Sequence, residues 1–508
     1  MFPPYGGQYL LIYKIKKMDI LERLRNLNFG APAAERDINQ GLKEYFFESE
    51  SYRRLRDSNK NIVLGNRGTG KSAIFKMLAE GFKQRKYQII ELAPEDYSYE
   101  ILNDVLLKER DGSWVKHGAY SAAWKYLLYI IAMKKIADYD NTFLKKNCHN
   151  IFVYIRDNYP DGEYSKLDKL ISYLKRIEGI KVGSYEAGLK TRQLQSLYKL
   201  EEIHNLIEEL QTACKKYPIA IFVDELDRGW DSSEDAKAFV AGLFQAAISI
   251  NQLTPNLKVF ISLRKELYDN IPALYEDSQK VWDLFEVIEW DEDDLLKMIS
   301  KRIEHSFPEL KHSSDTERWS FIFAETLDYR QTKSFNYIVD RTLYRPREII
   351  QFCTEAKDKA LDNLNFPINY ETVSDAEMSY SESRTKDISA EYRFQYRGLL
   401  SIFESFRGMS YNFERDELEF HFLRLITGEI KLSTDANWVR DQEPDYLVSV
   451  LWQVGFLRAQ AIGGLKAKRR SGSTYLGPHQ ISNLNLQNIN KFHIHPMFRA
   501  FLGLKESR

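Results

Sequence analysis

Four short apolar runs, each closed by polar or glycine-rich residues, punctuate the chain between residues 62 and 264. They are Ile62–Leu64, the stretch 87–92 (YQIIEL), Ile219–Val223 and the stretch 257–264 (LKVFISLR). Short continuous apolar runs bounded by turn residues predict strands buried on both faces, as in a parallel sheet. A fifth run, FEVIEW, predicts one more short strand. Between these runs the apolar positions recur at helical spacing, in AIFKMLAEGF after Ser72 and in EDAKAFVAGLFQAAISINQ. Strands alternating with helices predict an α/β fold built on a parallel sheet.

The interval from Ile101 to Lys216 is mostly helical by periodicity and reads as a helical insertion, with a small hairpin or mobile loop at RIEGIKVGSYEAGLK. Its most apolar run, YLLYIIAM from Tyr126 to Met133, is bracketed by lysines and too short to span a bilayer, so it reads as a core helix. Ahead of Ile62, NFGAPAAERDINQGLKEYFFESESYRRL predicts a turn and then a helix. After WDEDDLLKMISKRI, helical periodicity continues through YRPREIIQFCTEA, giving a lid over 291–365; residues 366–389 read as a polar, irregular linker. From about Ala390 the order is helix, helix, helix, strand, hairpin, strand, which is that of a winged helix over 390–508. The α/β core, with the helical insertion inside it, is then 18–290. Residues 1–17 read as an extension or a misassigned start, because Met18 opens a better helix, MDILERLRNL.

Composition narrows little. Lys+Arg (72) balance Asp+Glu (73) in 508 residues, so any nucleic-acid contact must come from a local patch. Three cysteines without paired spacing (Cys148, Cys214, Cys353) fit a reducing, cytoplasmic setting and no zinc site. No secretory signal or membrane span is expected.

The chemistry lies at the ends of the apolar runs. Gly65, four residues, Gly70, Lys71 and Ser72 have P-loop spacing. In such a loop backbone N–H groups wrap phosphates, the lysine reaches the terminal ones and the serine ligates Mg²⁺. The run before it and the helix after it supply the required strand–loop–helix context. Gly65, Asn66, Arg67, Gly68, Thr69, Gly70, Lys71, Ser72 and Ala73 therefore form the candidate ATP cradle. Ile219–Val223 delivers Asp224 and Glu225 at its carboxyl end. Asp224 would hold the Mg²⁺ shell with Ser72, and Glu225 would polarise the attacking water. Asp291–Asp294 reads as a helix start rather than a metal site. His493 and His495, with no cysteine nearby, read as strand-end residues. The basic hairpin with Lys466, Lys468, Arg469 and Arg470 reads first as a solvated loop, with a DNA-touching wing as the alternative.

With these residues placed, the chain resembles the STAND and KAP-like branch of P-loop ATPases, relatives of the AAA+ and origin-recognition ATPases. FISLR is similar to the strand whose terminal arginine senses the γ-phosphate, which implies that role for Arg264. WDEDDLLKMISKRI resembles the helix entry after the core sheet. YRPRE resembles a lid motif with a sensor arginine, here Arg345 or Arg347. NFGAPAAERD is similar to the segment that packs near the adenine. The resemblance implies a soluble ATP-dependent switch that self-associates, works with a separate effector protein and belongs to antiphage defence or stress signalling. The competing expectation is a DNA-binding ATPase, a loader or motor using the winged helix. Arg228, beyond the DELD turn, is a weaker candidate for reaching a neighbouring subunit, and Asp227 is the alternative to Glu225.

Overall fold

The computed structural model describes residues 20–92, 113–139, 142–159, 203–226, 234–271, 274, 281–327, 332–460, 475–481 and 484–506. Asp227, Arg228, the hairpin Lys466–Arg470, residues 1–17 and RIEGIKVGSYEAGLK lie outside them. The chain divides into two compact units. One comprises Glu50–Asn66 and Lys71–Ile288. The other comprises the residues up to Ser49, the four residues Arg67–Gly70, and everything from Glu289.

The first unit is a parallel α/β sheet. Its strands are β1 (Ile62–Gly65), β2 (Gln88–Leu92), β3 (Ile219–Val223), β4 (Leu257–Arg264) and β5 (Phe285–Val287). The order is β2-β3-β4-β1-β5, every pair parallel. Continuous apolar runs were needed because both faces are covered: all of β1 and β3 is buried. Alternation then sorts the side chains. Phe222 and Phe260 stack on one face at 5.0 Å, joined by Phe75 and Phe82 of helix α2 (Lys71–Gln84), which follows α1 (Glu50–Asp57) and β1. Ile219, Ile221, Val259 and Ile261 face the other way into a cluster with α3 (Ser113–Ala137) and α4 (Glu234–Leu253). There Trp124 donates its indole N–H to the Phe239 carbonyl at 3.2 Å. Gly242 allows the approach of α3 to α4, since a Cβ at that position would lie 2.5 Å from Tyr120 Cβ. The run Tyr126–Met133 is part of buried α3, and among the described residues no helix is long and apolar enough to cross a membrane.

In the second unit, α5 (Glu292–Ser306) is capped by Asp291, whose carboxylate accepts from Asp294 N at 2.8 Å; the acid run is a helix start. The lid region also contains a two-stranded antiparallel pair, β6 (Thr326–Leu327) and β7 (Thr332–Lys333), too short to leave a periodic signal. Helix α6 (Pro346–Asn363) starts on a proline that needs no N–H partner.

The linker expected at 366–389 is instead a helix, α7 (Tyr370–Glu391). Its polar composition hid a buried stripe that includes Val373, Ala376, Tyr380 and Ile388, and its buried polar side chains are taken up by ion pairs and hydrogen bonds. The segment before Ser49, read from sequence as part of the core, groups with this second unit. The cause is a buried ion pair: Arg302 of α5 bonds Asp37 at 2.8 Å and the Phe29 carbonyl at 2.6 Å. Asp37 also accepts from Tyr45 Oη and Ala31 N, each at 2.7 Å.

Beyond α7 come the helix Leu399–Glu404, α8 (Arg415–Ile426), α9 (Pro444–Gln453) and α10 (Pro496–Leu502). They surround an antiparallel sheet ordered β10 (Tyr475–Leu476), β9 (Leu457–Gln460), β11 (Lys491–Ile494) and β8 (Asn412–Glu414). Register aligns Phe413, Phe492, Ala459 and Leu476 on its buried face. His493 lies in β11, and His495 caps α10 by accepting from Met497 N at 3.1 Å.

Candidate nucleotide-binding site

In an open parallel sheet, ligands bind beyond the carboxyl ends of the strands where successive connections diverge. From β1 the chain runs to the β2 edge, and from β4 it runs past β1 to β5. The divergence falls between β1 and β4, and Gly65 is in register with Arg264 there. The strand-end arginine singled out from FISLR therefore lies beside the first glycine of the P-loop. β3 is the next strand over, so the acidic pair and the loop are two strand spacings apart, about 10 Å.

Two glycines shape the loop backbone. Gly68 and Gly70 have φ of +84° and +92°, conformations that a side chain strains. Lys71 turns its ammonium back across the loop, donating to the carbonyls of Gly65 at 2.7 Å and Asn66 at 3.0 Å. Ser72 and Ala73 lie in the first turn of α2, which carries no acidic residue to compete with an anion for the helix N-terminus.

At the end of β3, Asp224 N donates to the Leu92 carbonyl at 3.0 Å, and the Asp224 carboxylate accepts from Glu225 N at 2.9 Å. Glu225 has φ of +59°. A non-glycine residue in this region costs about 1–2 kcal/mol, a strain that persists where its surroundings over-determine it. Val223 before the pair and Leu226 after it are both fully buried, which fixes the turn. Both carboxylates remain half-buried at the strand end.

The loop tip, Arg67–Gly70, groups with the lid-bearing unit. Trp290 donates its indole N–H to the Thr69 carbonyl at 2.9 Å, and Arg347 N donates to the Gly68 carbonyl at 3.3 Å. The sequence left two lid arginines open, and their surroundings differ. Arg345 is 4% exposed and bonds Glu391 at 2.9 Å, with Glu348 at 3.7 Å. Arg347 is half-buried and donates Nε–H to the Pro32 carbonyl at 3.1 Å. Among the described residues no carboxylate lies within ion-pair distance of it. Burial, and then the charges of Arg67 and Arg384, hold its guanidinium below the usual range. Pro32 belongs to NFGAPAAERD, so the segment read as lying near the adenine meets the lid at this arginine. Sequence reasoning missed Arg384, because the region was taken for a linker. It also missed Asp37–Arg302, whose partners are far apart in the chain. His493 and His495 join no metal cluster among the described residues.

Comparison with known proteins adds distant relatives. Residues 293–389 match the FunZ-associated C-terminal helical domain, a span that runs from α5 almost to the end of α7. The chain is similar to the 80.3 kDa protein of transposon gamma-delta from Escherichia coli (strain K12), with 24% identity over 496 residues, 94% of this chain and 67% of the relative. A solved structure, the ORC2 protein of Aeropyrum pernix in ADPNP and ADP complexes, aligns over 95% of this chain and 98% of its own at 10% identity. Its TM-score is 0.27, below the level at which two folds correspond. The parallel five-stranded sheet with a glycine loop after β1 is a P-loop-like α/β fold.

Proposed function

We propose that this chain is a Mg-ATP-dependent switch ATPase of the STAND/KAP-like kind. The observation that carries the reading is the alignment of three strand ends: the P-loop after β1, Arg264 in register with Gly65 on β4, and Asp224–Glu225 after β3. A magnesium-bound triphosphate fits the residues present. The two positive-φ glycines and the acid-free start of α2 suit phosphate oxygens. Ser72 and Asp224 are hard oxygen ligands of the kind Mg²⁺ takes. Bound ATP supplies the phosphoanhydride, and Mg²⁺ neutralises charge on its phosphates.

The chain's own residues divide the remaining work. Lys71 exchanges its loop carbonyls for phosphate oxygens. Glu225, set by its strained turn, orients and deprotonates water. Arg264 and Arg347 add charge where a third phosphate would lie. Arg345, the other candidate lid arginine, is held by Glu391. Because no second catalytic constellation accompanies this site among the residues read, the output is a change of assembly passed to a separate effector. Antiphage defence or stress signalling in the cytoplasm is the setting proposed for it.

The test is mass in solution. Glu225→Gln with Mg-ATP should self-associate, and wild type without nucleotide should not. A monomer in every condition would overturn the switch. A second reading is a DNA-binding ATPase. It is favoured by the similarity to a transposon-borne protein and by the order helix Leu399–Glu404, β8, α8, α9, then β9 to β11, an order compatible with a winged helix. ATP hydrolysis that rises only when duplex DNA is added would select it.

A further inference from the structure

In the second unit's antiparallel sheet β8 is an edge strand, and a cavity of about 650 Å³ is lined by residues of β8, β11 and α8. That volume suits a small organic ligand. An edge strand can also add a strand from another chain, but the donors of this one are used. Asn412 N donates to Ser410 Oγ and Glu414 N to Glu417 Oε2, each at 3.0 Å. The acceptors of the wall are not used. Asn412 Oδ1 is buried without a hydrogen-bond partner among the described residues, and so is Nδ1 of His421, a residue 2% exposed. Ser405 fixes the tautomer of that ring. It donates its only hydroxyl proton to the Ile402 carbonyl at 2.6 Å, so its oxygen accepts from His421 Nε2–H at 2.9 Å. Burial, and then the charge of Arg424, keeps the ring neutral, which leaves Nδ1 a bare acceptor. Native interiors rarely leave two such groups at one cavity with nothing to complete them.

The cations at this cavity do not select the occupant, because each already holds a carboxylate: Lys491 pairs with Glu414 at 2.9 Å and Arg424 with Glu429 at 2.8 Å. Rings supply the remaining character. Glu417, Phe420, His421 and Arg424 follow one stripe of α8, and Phe420 is 63% exposed. His493, in register with Asn412, carries Tyr475 stacked on it. An occupant that meets both demands is flat and presents N–H donors along one edge.

We propose that this cavity binds a nucleobase bearing an exocyclic amino group (cytosine, adenine or guanine), its amino edge donating to His421 Nδ1 and Asn412 Oδ1 and its ring lying against Phe420. The site is separate from the P-loop, and its recognition needs no phosphate. A free nucleoside and a base in single-stranded nucleic acid offer the same chemistry, so the two sources are separated by experiment.

The test is equilibrium binding to the full chain of cytidine, adenosine, guanosine and uridine, none of which carries a phosphate for the P-loop. At least one of the three amino-bearing nucleosides, or oligo(dC) or oligo(dA), should bind about tenfold or more tightly than uridine or oligo(dT) respectively, the scale of hydrogen bonds to otherwise unpaired groups. Preference among the oligonucleotides with the nucleosides unbound assigns the base to a single strand; preference among the nucleosides alone assigns it to a free ligand. Phe420→Ala removes an exposed ring, and Asn412→Ala removes one acceptor from a half-buried position. Each should weaken the preferred probe about five- to tenfold. Uridine and oligo(dT) bound as tightly as their amino-bearing counterparts, no probe bound, or wild-type affinity in either variant would overturn the proposal.

Discussion

Replacing Gly68 and Gly70 separately by alanine distinguishes what the loop backbone does from what the lid does. Both glycines have φ near +90°, so either alanine should strain the loop by about 1–2 kcal/mol, enough to weaken nucleotide binding roughly 5- to 30-fold. Their surroundings differ. A Cβ at Gly70 would meet no heavy atom within 4 Å, whereas one at Gly68 would lie 3.2 Å from Arg347 Cβ and 3.6 Å from its Cδ. Such a gap forces the first residues of α6 to give by a few tenths of an ångström. It also loads the bond from Arg347 N to the Gly68 carbonyl, already long at 3.3 Å. Gly70→Ala should therefore weaken ATP and ADP in proportion. Gly68→Ala should weaken ATP by a further factor of about five to ten, because displacing the guanidinium costs one charge-assisted contact. Titrations with a fluorescent ATP analogue and with ADP as competitor provide the four affinities. An ATP-to-ADP ratio identical in the two variants would refute a role for the Arg347–Gly68 contact.

Reversing charge in Arg264→Glu should weaken ATP more than ADP in the same titration; equal loss would make it a structural residue. Arg302→Ala, which leaves Asp37 buried with only Tyr45 and Ala31 as donors, should destabilise the second unit by about 3–5 kcal/mol in denaturant melts; a loss under 1 kcal/mol would contradict the pair's role in fixing the segment before Ser49. His421 is 2% exposed, its Nε2 lies 2.9 Å from Ser405 Oγ, and burial pushes it down to about 4. Because the unfolded histidine binds its proton first, at about 6.5, stability should be full above that pH. It should fall by up to about 3 kcal/mol as pH drops through 6.5 toward 4, and His421→Gln should flatten that slope in pH-dependent melts.

Most of the sheet's strands were legible because parallel strands buried on both faces write uninterrupted apolar runs; their order was not. The placement of the glycine loop after β1 and of Asp224–Glu225 after β3 was legible for a related reason: each group follows its strand within a few residues. What escaped was non-local or polar. Helix α7 buries Glu377, Arg384 and Glu391 as members of ion pairs, so its hydrophobic period is weak and it read as a linker. Asp37 and Arg302 are 265 residues apart, and no local pattern links them. The different surroundings of Arg345 and Arg347 are not written in YRPRE, because they depend on Glu391 arriving from α7 and on the Gly68 carbonyl.

The most direct test of the central claim compares Lys71→Ala with Glu225→Gln for retention of labelled ATP on the purified chain and for release of phosphate with Mg²⁺ present. Loss of the lysine removes the loop's charged contact to the terminal phosphates, so Lys71→Ala should retain no ATP. Glu225→Gln should retain ATP and release phosphate at least about 100-fold more slowly than wild type, because the amide cannot accept the water's proton. Wild-type retention in Lys71→Ala, or normal turnover in Glu225→Gln, would contradict the assignment of this site as the one that binds and hydrolyses ATP.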